Sequence, residues 1–176
     1  MIKKKICMVG LFGTGKTSLV KRFVESTFGE RYLTTVGVKI DRKDVVVDGR
    51  EVTLAIWDLA GHDMLAGLRI SNIRGASGYL LVADGCRGAS LEKAIDLQRQ
   101  ITEVLGDLPF LLLINKSDLR DEWEVSAQAV GALGARGWQA LETSAKTGDG
   151  VEQAFQTLTR EILAKTPFGA GTGDEE

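Results

Sequence analysis

The chain has 176 residues, with 22 Lys+Arg against 24 Asp+Glu for a formal charge of −2, and is 44% hydrophobic and 26% charged. That length suits one domain of ~100–200 residues with a full hydrophobic core, and the composition excludes wholesale disorder. The near-balanced charge, with no like-charged run longer than residues 3–5, argues against a dedicated nucleic-acid binder.

Residues 6–9 form a short apolar run that halts at Gly10; after a glycine-rich turn, Leu19, Val20, Phe23 and Val24 recur at helical spacing. The reading is strand, loop, helix. Val45, Val46 and Val47 lead into Asp48-Gly49, a two-residue hairpin signal, and Val52, Leu54 and Ile56 then alternate with polar or small residues. This predicts an antiparallel pair. Residues 79–83 and 110–114 are apolar runs of strand length with turn residues at their ends, as expected of strands buried on both faces in a parallel sheet. Leu91, Ala94, Ile95, Ile101 and Leu105 make a helical stripe ending at Gly106, and Val151, Ala154, Phe155, Leu158 and Ile162 make another. Strands alternate with helices, so the class is α/β. The folded domain is expected to span residues 1–165, with residues 166–176, rich in glycine and ending in three acids, as a flexible tail.

Cys7 and Cys86 lack the paired spacing of a zinc site or a disulfide scaffold and read as buried thiols in a reducing compartment. No apolar stretch reaches the ~18 residues of a membrane span, and neither a signal peptide nor a lipid-anchor motif is legible. The expectation is a cytoplasmic protein without a direct lipid anchor, any membrane attachment being supplied by a partner.

Gly10-Leu11-Phe12-Gly13-Thr14-Gly15-Lys16-Thr17 fits G-x-x-x-x-G-K-S/T and lies between a predicted strand and helix, a context a mere glycine-rich turn would not need. Its glycines let backbone N–H groups converge on phosphate oxygens, reinforced by the partial positive charge of the helix N-terminus. Lys16 would reach the β- and γ-phosphates and the Thr17 hydroxyl would ligate Mg²⁺; Ser18 completes the loop. The ligand class is a nucleoside triphosphate.

Asn115-Lys116-Ser117-Asp118 follows the second buried run. A carboxylate at Asp118 can accept hydrogen bonds from the guanine ring N–H and exocyclic amino group. Adenine offers neither, and a buried acceptor left unpaired by the wrong base can discriminate by ~10⁴ or more. The Lys116 stem could cover one face of the base while Asn115 ties the segment to the phosphate loop. Asp58-Leu59-Ala60-Gly61 ends another strand: Asp58 would hold Mg²⁺ through a water, and Gly61 would let a backbone N–H approach the γ-phosphate. Thr143-Ser144-Ala145-Lys146 could present a backbone N–H to the guanine carbonyl. These segments all follow strands, where open α/β sheets bind their ligands.

With these motifs in order over residues 2 to about 165, the sequence resembles the Ras superfamily of small GTPases, and within it the Rab branch. Tyr32, Thr34-Thr35-Val36-Gly37, Ile56-Trp57-Asp58, Arg74-Gly75-Ala76 and Glu142-Thr143-Ser144-Ala145-Lys146 carry that likeness. The resemblance implies a P-loop G domain, with a six-stranded, mostly parallel sheet, one antiparallel edge pair and helices on both faces. It makes Thr35 a second threonine on Mg²⁺ and a γ-phosphate contact, and Tyr32 a cover for the nucleotide. Loss of the γ-phosphate would release residues 30–40 and 60–73, the surfaces that effectors, an exchange factor and an activating protein would read. A monomer is expected. The missing anchor cysteine points to a bacterial or archaeal member.

Several residues depart from the family pattern. His62, the only histidine, replaces the glutamine that usually orients the attacking water: a neutral imidazole can accept from water, or the residue can face solvent or a partner. Phe12 stands where relatives carry a small residue; its ring either obstructs an arginine finger or turns outward beneath a switch segment. Arg31 offers an arginine in cis or only surface charge. Of the aromatic effector cluster, aligned with Ile40, Trp57 and Ile73, one aromatic remains, either on a partner patch or packed. The expected activity is slow GTP hydrolysis to GDP and phosphate; the rival is a GTP-loaded scaffold with negligible turnover. A metabolite kinase would have no use for residues 115–118.

Overall fold

Strand β1 (Ile2–Val9) begins the fold in a computed structural model that describes residues 1–26, 37–59 and 70–165. The apolar run of residues 6–9 is only its second half. Residues 3–5 extend it because pairing with β3 (Arg50–Leu59) runs in register from Ile2↔Val52 to Met8↔Asp58. Backbone pairing thus carries the lysines into the strand, and Lys5 is accommodated by lying 3.7 Å over the Trp57 ring and donating to the Arg74 carbonyl.

Helix α1 (Lys16–Glu25) buries Leu19, Val20 and Phe23, as its spacing predicts. Strand β2 (Val38–Val47) meets β3 antiparallel across the Asp48-Gly49 turn, from Val47↔Arg50 to Val38↔Leu59. It reaches well before Val45, because an edge strand with one wet face needs no continuous apolar run. A four-residue helix α2 (Ile70–Ile73) precedes β4 (Gly78–Asp84), every residue of which is buried. Then come α3 (Gly88–Leu105), β5 (Phe110–Asn115), a 3-10 turn at Arg120–Glu122, α4 (Ala127–Ala135), β6 (Ala140–Glu142) and α5 (Val151–Lys165). Helix α4 has no signature in the sequence: it is rich in alanine and glycine and, among its residues, buries only Leu133, so no apolar stripe marks it.

Among the described residues the six strands form one sheet, ordered β2-β3-β1-β4-β5-β6, with only the β2/β3 pair antiparallel. Alternate residues of the central strands enter opposite layers. Ile6, Met8, Leu80, Val82, Leu111 and Leu113 pack beneath α1 and α5, where Phe23 stacks on Phe155 at 3.9 Å. Cys7, Val9, Tyr79, Leu81, Leu112 and Ile114 pack beneath α3 and α4. Helices therefore cover both faces. Because β3 and β4 flank β1, the connections diverge at the carboxyl end of β1, the crevice where such sheets bind ligands. Residues 166–176, expected as a tail, lie outside the described residues.

Candidate functional site

Between β1 and α1 the chain wraps so that its carbonyls are held from outside. The Leu11 carbonyl accepts from Thr14 Oγ1 at 2.8 Å and from Lys16 Nζ at 3.0 Å. The Phe12 carbonyl accepts from Arg87 Nη2 at 2.9 Å, and the Thr14 carbonyl from Asn115 Nδ2 at 3.0 Å. In a trans peptide the N–H points opposite the C=O, so these contacts turn the amides of Phe12, Gly13 and Gly15 the other way, as a phosphate cradle requires. Two glycines are there for room. A Cβ on Gly10 would lie 2.4 Å from the Val82 carbonyl, and one on Gly15, whose φ is +99°, would lie 2.2 Å from Asn115 Nδ2. Ser18 sits in the first turn of α1, half-buried.

Lys16 is 5% exposed. Burial pulls its ammonium down to about 8, opposed by Asp58 and reinforced by Arg87. A lysine so placed favours its charged form when an anion arrives, the property expected of a phosphate ligand.

Thr17 Oγ1 donates to Asp58 Oδ2 at 2.5 Å, joining the start of α1 to the end of β3, and Asp58 is fully buried. A hydroxyl and a carboxylate, both hard oxygen donors, suit Mg²⁺, which takes one or two protein oxygens together with substrate phosphates and keeps several waters. These two residues fit the ion. Among the described residues no cluster of three or more His, Cys, Asp or Glu offers another site. Thr35 and Gly61 lie outside the described residues, as do Tyr32, His62 and Arg31.

On the far side of the phosphate loop, Asn115 is held by Thr143 Oγ1, which donates to its Oδ1 at 3.1 Å, so its amide has one direction. Lys116 adopts φ +72°, and its ammonium lies 2.8 Å from the buried Asp84 carboxylate. That contact holds the lysine stem as a wall. Asp118 accepts from Ser144 Oγ at 2.7 Å. The residue is exposed, three residues past the end of β5, and Ser144 fixes its direction. Arg22 donates to the carbonyls of Ala145 and Lys146, at 2.8 Å for the first, which orients the peptide that follows each.

Asp84, Arg87 and Arg22 are not marked as site residues by the sequence, and Thr143 is marked only as part of the 143–146 segment, not as the partner of Asn115. The contacts that tie them to Lys116, Phe12, Asn115 and Lys146 span 28 to 124 residues, so no local pattern exposes them. The one available signal was an acid directly after a fully apolar strand, at Asp84. Cys86 also departs from expectation: it sits in the turn beyond β4 and is only half-buried, whereas Cys7 is fully buried. Phe12 turns its ring outward and is 45% exposed. Of the three aligned effector positions, Ile40 is exposed, Trp57 is partly packed and Ile73 is fully buried, so they do not form one exposed patch.

A phosphate loop, a Thr-Asp pair and a base-reading segment at the carboxyl ends of β1, β3 and β5 define a P-loop nucleotide-binding protein. The sequence model of the Ras family matches residues 5–164. The chain is 35% identical over 163 residues to Ras-related protein Rab-8B of Homo sapiens, covering 92% of this chain and 79% of that protein. It is 34% identical over 164 residues to Ras-related protein Rab-13 of Canis lupus familiaris, covering 92% and 81% respectively. The chain belongs to the Ras family, as a Rab-like small GTPase that binds and hydrolyses GTP.

Proposed function

We propose that the protein is a slow, Mg²⁺-dependent molecular switch whose GTP form orders residues 30–40 and 60–73 for effectors and whose GDP form releases them. The observation that supports this reading is the junction of the phosphate loop with both the Thr17–Asp58 pair and the Asn115–Thr14 contact, one frame on which triphosphate, metal and base would meet. Lys16 and the amides of residues 12, 13 and 15 would stabilise charge on the phosphate oxygens as water attacks in line. Thr17 and Asp58, with Thr35, would hold Mg²⁺, which when bound supplies neutralisation of phosphate charge. Gly61 would donate its N–H to the γ-phosphate, Tyr32 would cover the nucleotide, and His62 would accept from the attacking water. Asp118, Lys116 and the residues 144–146 would select guanine.

The same reading makes the protein a cytoplasmic monomer, served by an exchange factor and an activating protein, that a partner can recruit to a membrane. A single-turnover assay of GTP-loaded protein with Mg²⁺ tests it. The expected rate is at or below the ~10⁻⁴ s⁻¹ scale of an unassisted small GTPase, falling further in His62→Ala. Retained GTP without turnover identifies a GTP-bound scaffold instead, and an unchanged rate in His62→Ala removes the histidine from the mechanism.

A further inference from the structure

Arg87 stands at the mouth of the phosphate loop, its side chain half-exposed and held at two points. Its Nε lies 3.2 Å from Asp84 Oδ2 and its Nη2 donates to the Phe12 carbonyl at 2.9 Å, so the guanidinium bridges the end of β4 and the tip of the loop. A Cβ on Gly13 would lie 3.6 Å from the same Nη2, which places the guanidinium across the Phe12–Gly13 peptide. The backbone beneath it is pinned. Ser90 Oγ donates to the Arg87 carbonyl at 2.7 Å, Asp84 Oδ1 accepts from the Cys86 N–H at 2.9 Å, and Glu124 Oε2 accepts from the Gly88 N–H at 2.8 Å.

Asp84 is 2% exposed and also receives the Lys116 ammonium, so one buried carboxylate sets both the lysine of the base-reading segment and the arginine of the loop. A charge-assisted bond to a carbonyl is stronger and more directional than a neutral one. The peptide it grips is planar, so fixing the Phe12 oxygen fixes the Gly13 N–H on the opposite side.

We propose that Arg87 is a positioning residue for hydrolysis: by gripping the Phe12 carbonyl it aims the Gly13 N–H at the phosphate chain of GTP. A donor aimed in advance costs no reorganisation as charge develops, so its loss weighs on the chemical step more than on nucleotide retention. The inference rests on the GTPase reading above.

The test compares wild type, Arg87→Ala, Arg87→Lys and Arg99→Ala, the last on the exposed face of α3. Each is loaded with the non-hydrolysable analogue GppNHp for ³¹P NMR, and with GTP and GDP for single-turnover and release rates. In Arg87→Ala the β-phosphorus resonance is expected to shift and hydrolysis to slow by about tenfold or more, while GDP release changes less than about threefold. Arg87→Lys, which keeps one charged donor, recovers part of the rate, and Arg99→Ala matches wild type. Bound analogue with identical resonances and rates in Arg87→Ala overturns the positioning role. So does a rate loss matched by equally faster GDP release and a lower Tm, which assigns Arg87 to stability alone. Failure of the wild type itself to retain guanine nucleotide overturns the GTPase reading, a result distinct from both.

Discussion

Asn115 and Thr14, 101 residues apart, are joined by a buried hydrogen bond of 3.0 Å from the asparagine amide to the threonine carbonyl. Because Thr143 grips the other end of the same amide, the bond links three strand ends through one side chain. Asn115→Ala removes both contacts and leaves buried groups without partners, at about 1–3 kcal/mol. Guanine-nucleotide affinity is expected to fall by roughly 10–100-fold, measured by fluorescent-nucleotide titration; a change below twofold would show that the two halves of the site are independent.

Asp118 tests the reading of the base. Its carboxylate is aimed by Ser144 and is the one group of the described site suited to accept from two guanine donors. Asp118→Ala should lower GTP affinity on the order of 10³-fold or more while leaving the weak affinity for ATP unchanged, as competition binding would record. Equal losses for both nucleotides would move selectivity elsewhere.

The Thr17–Asp58 pair predicts how the site responds to chelation. EDTA should accelerate GDP release by about tenfold or more, since the ion screens phosphate charge that Lys16 alone must otherwise balance. In Thr17→Ala release should already be fast, and EDTA should add little. A wild type indifferent to EDTA would remove Mg²⁺ from the site.

Much of this site was legible because its chemistry comes in contiguous words. Asp58 and Asn115 lie at the ends of strands whose apolar runs announce themselves, Lys16, Thr17 and Asp118 lie in the turn or helix that follows such a strand, and spacing did the rest. The supports were hidden for the opposite reason. Arg87 acts across 75 residues and Arg22 across 124, distances over which only the folded sheet brings partners together. The exposed, alanine-rich α4 and the lysine-bearing half of β1 were illegible because neither depends on an apolar face of its own.

Cys7 gives the fold a pH signature. Burial pushes its thiol up to about 12, only partly offset by Lys5, whereas the unfolded chain ionises near its ordinary value of 9.0. A folded pKa raised above the unfolded one gives stability that is complete below pH 9 and lost as pH rises toward 12. Lys16, lowered to about 8, acts with the opposite sign between pH 8 and 10.5, so the contribution is read as a difference between proteins. Cys7→Ser keeps a donor toward the Asn72 carbonyl but does not titrate in this range. Between pH 8 and 10.5 wild type should lose on the order of 2 kcal/mol more than Cys7→Ser in urea denaturation. Parallel pH profiles would contradict the burial argument.

The most direct measurement is the identity of the nucleotide that the purified protein carries, released by denaturation and separated by chromatography, followed by reloading with an equimolar mixture of GTP and ATP. Guanine nucleotide in both steps is the expected result, because Asn115 is bonded to the phosphate loop, Asp84 holds Lys116 and Ser144 aims Asp118. Adenine nucleotide, or uptake of both without preference, would contradict it.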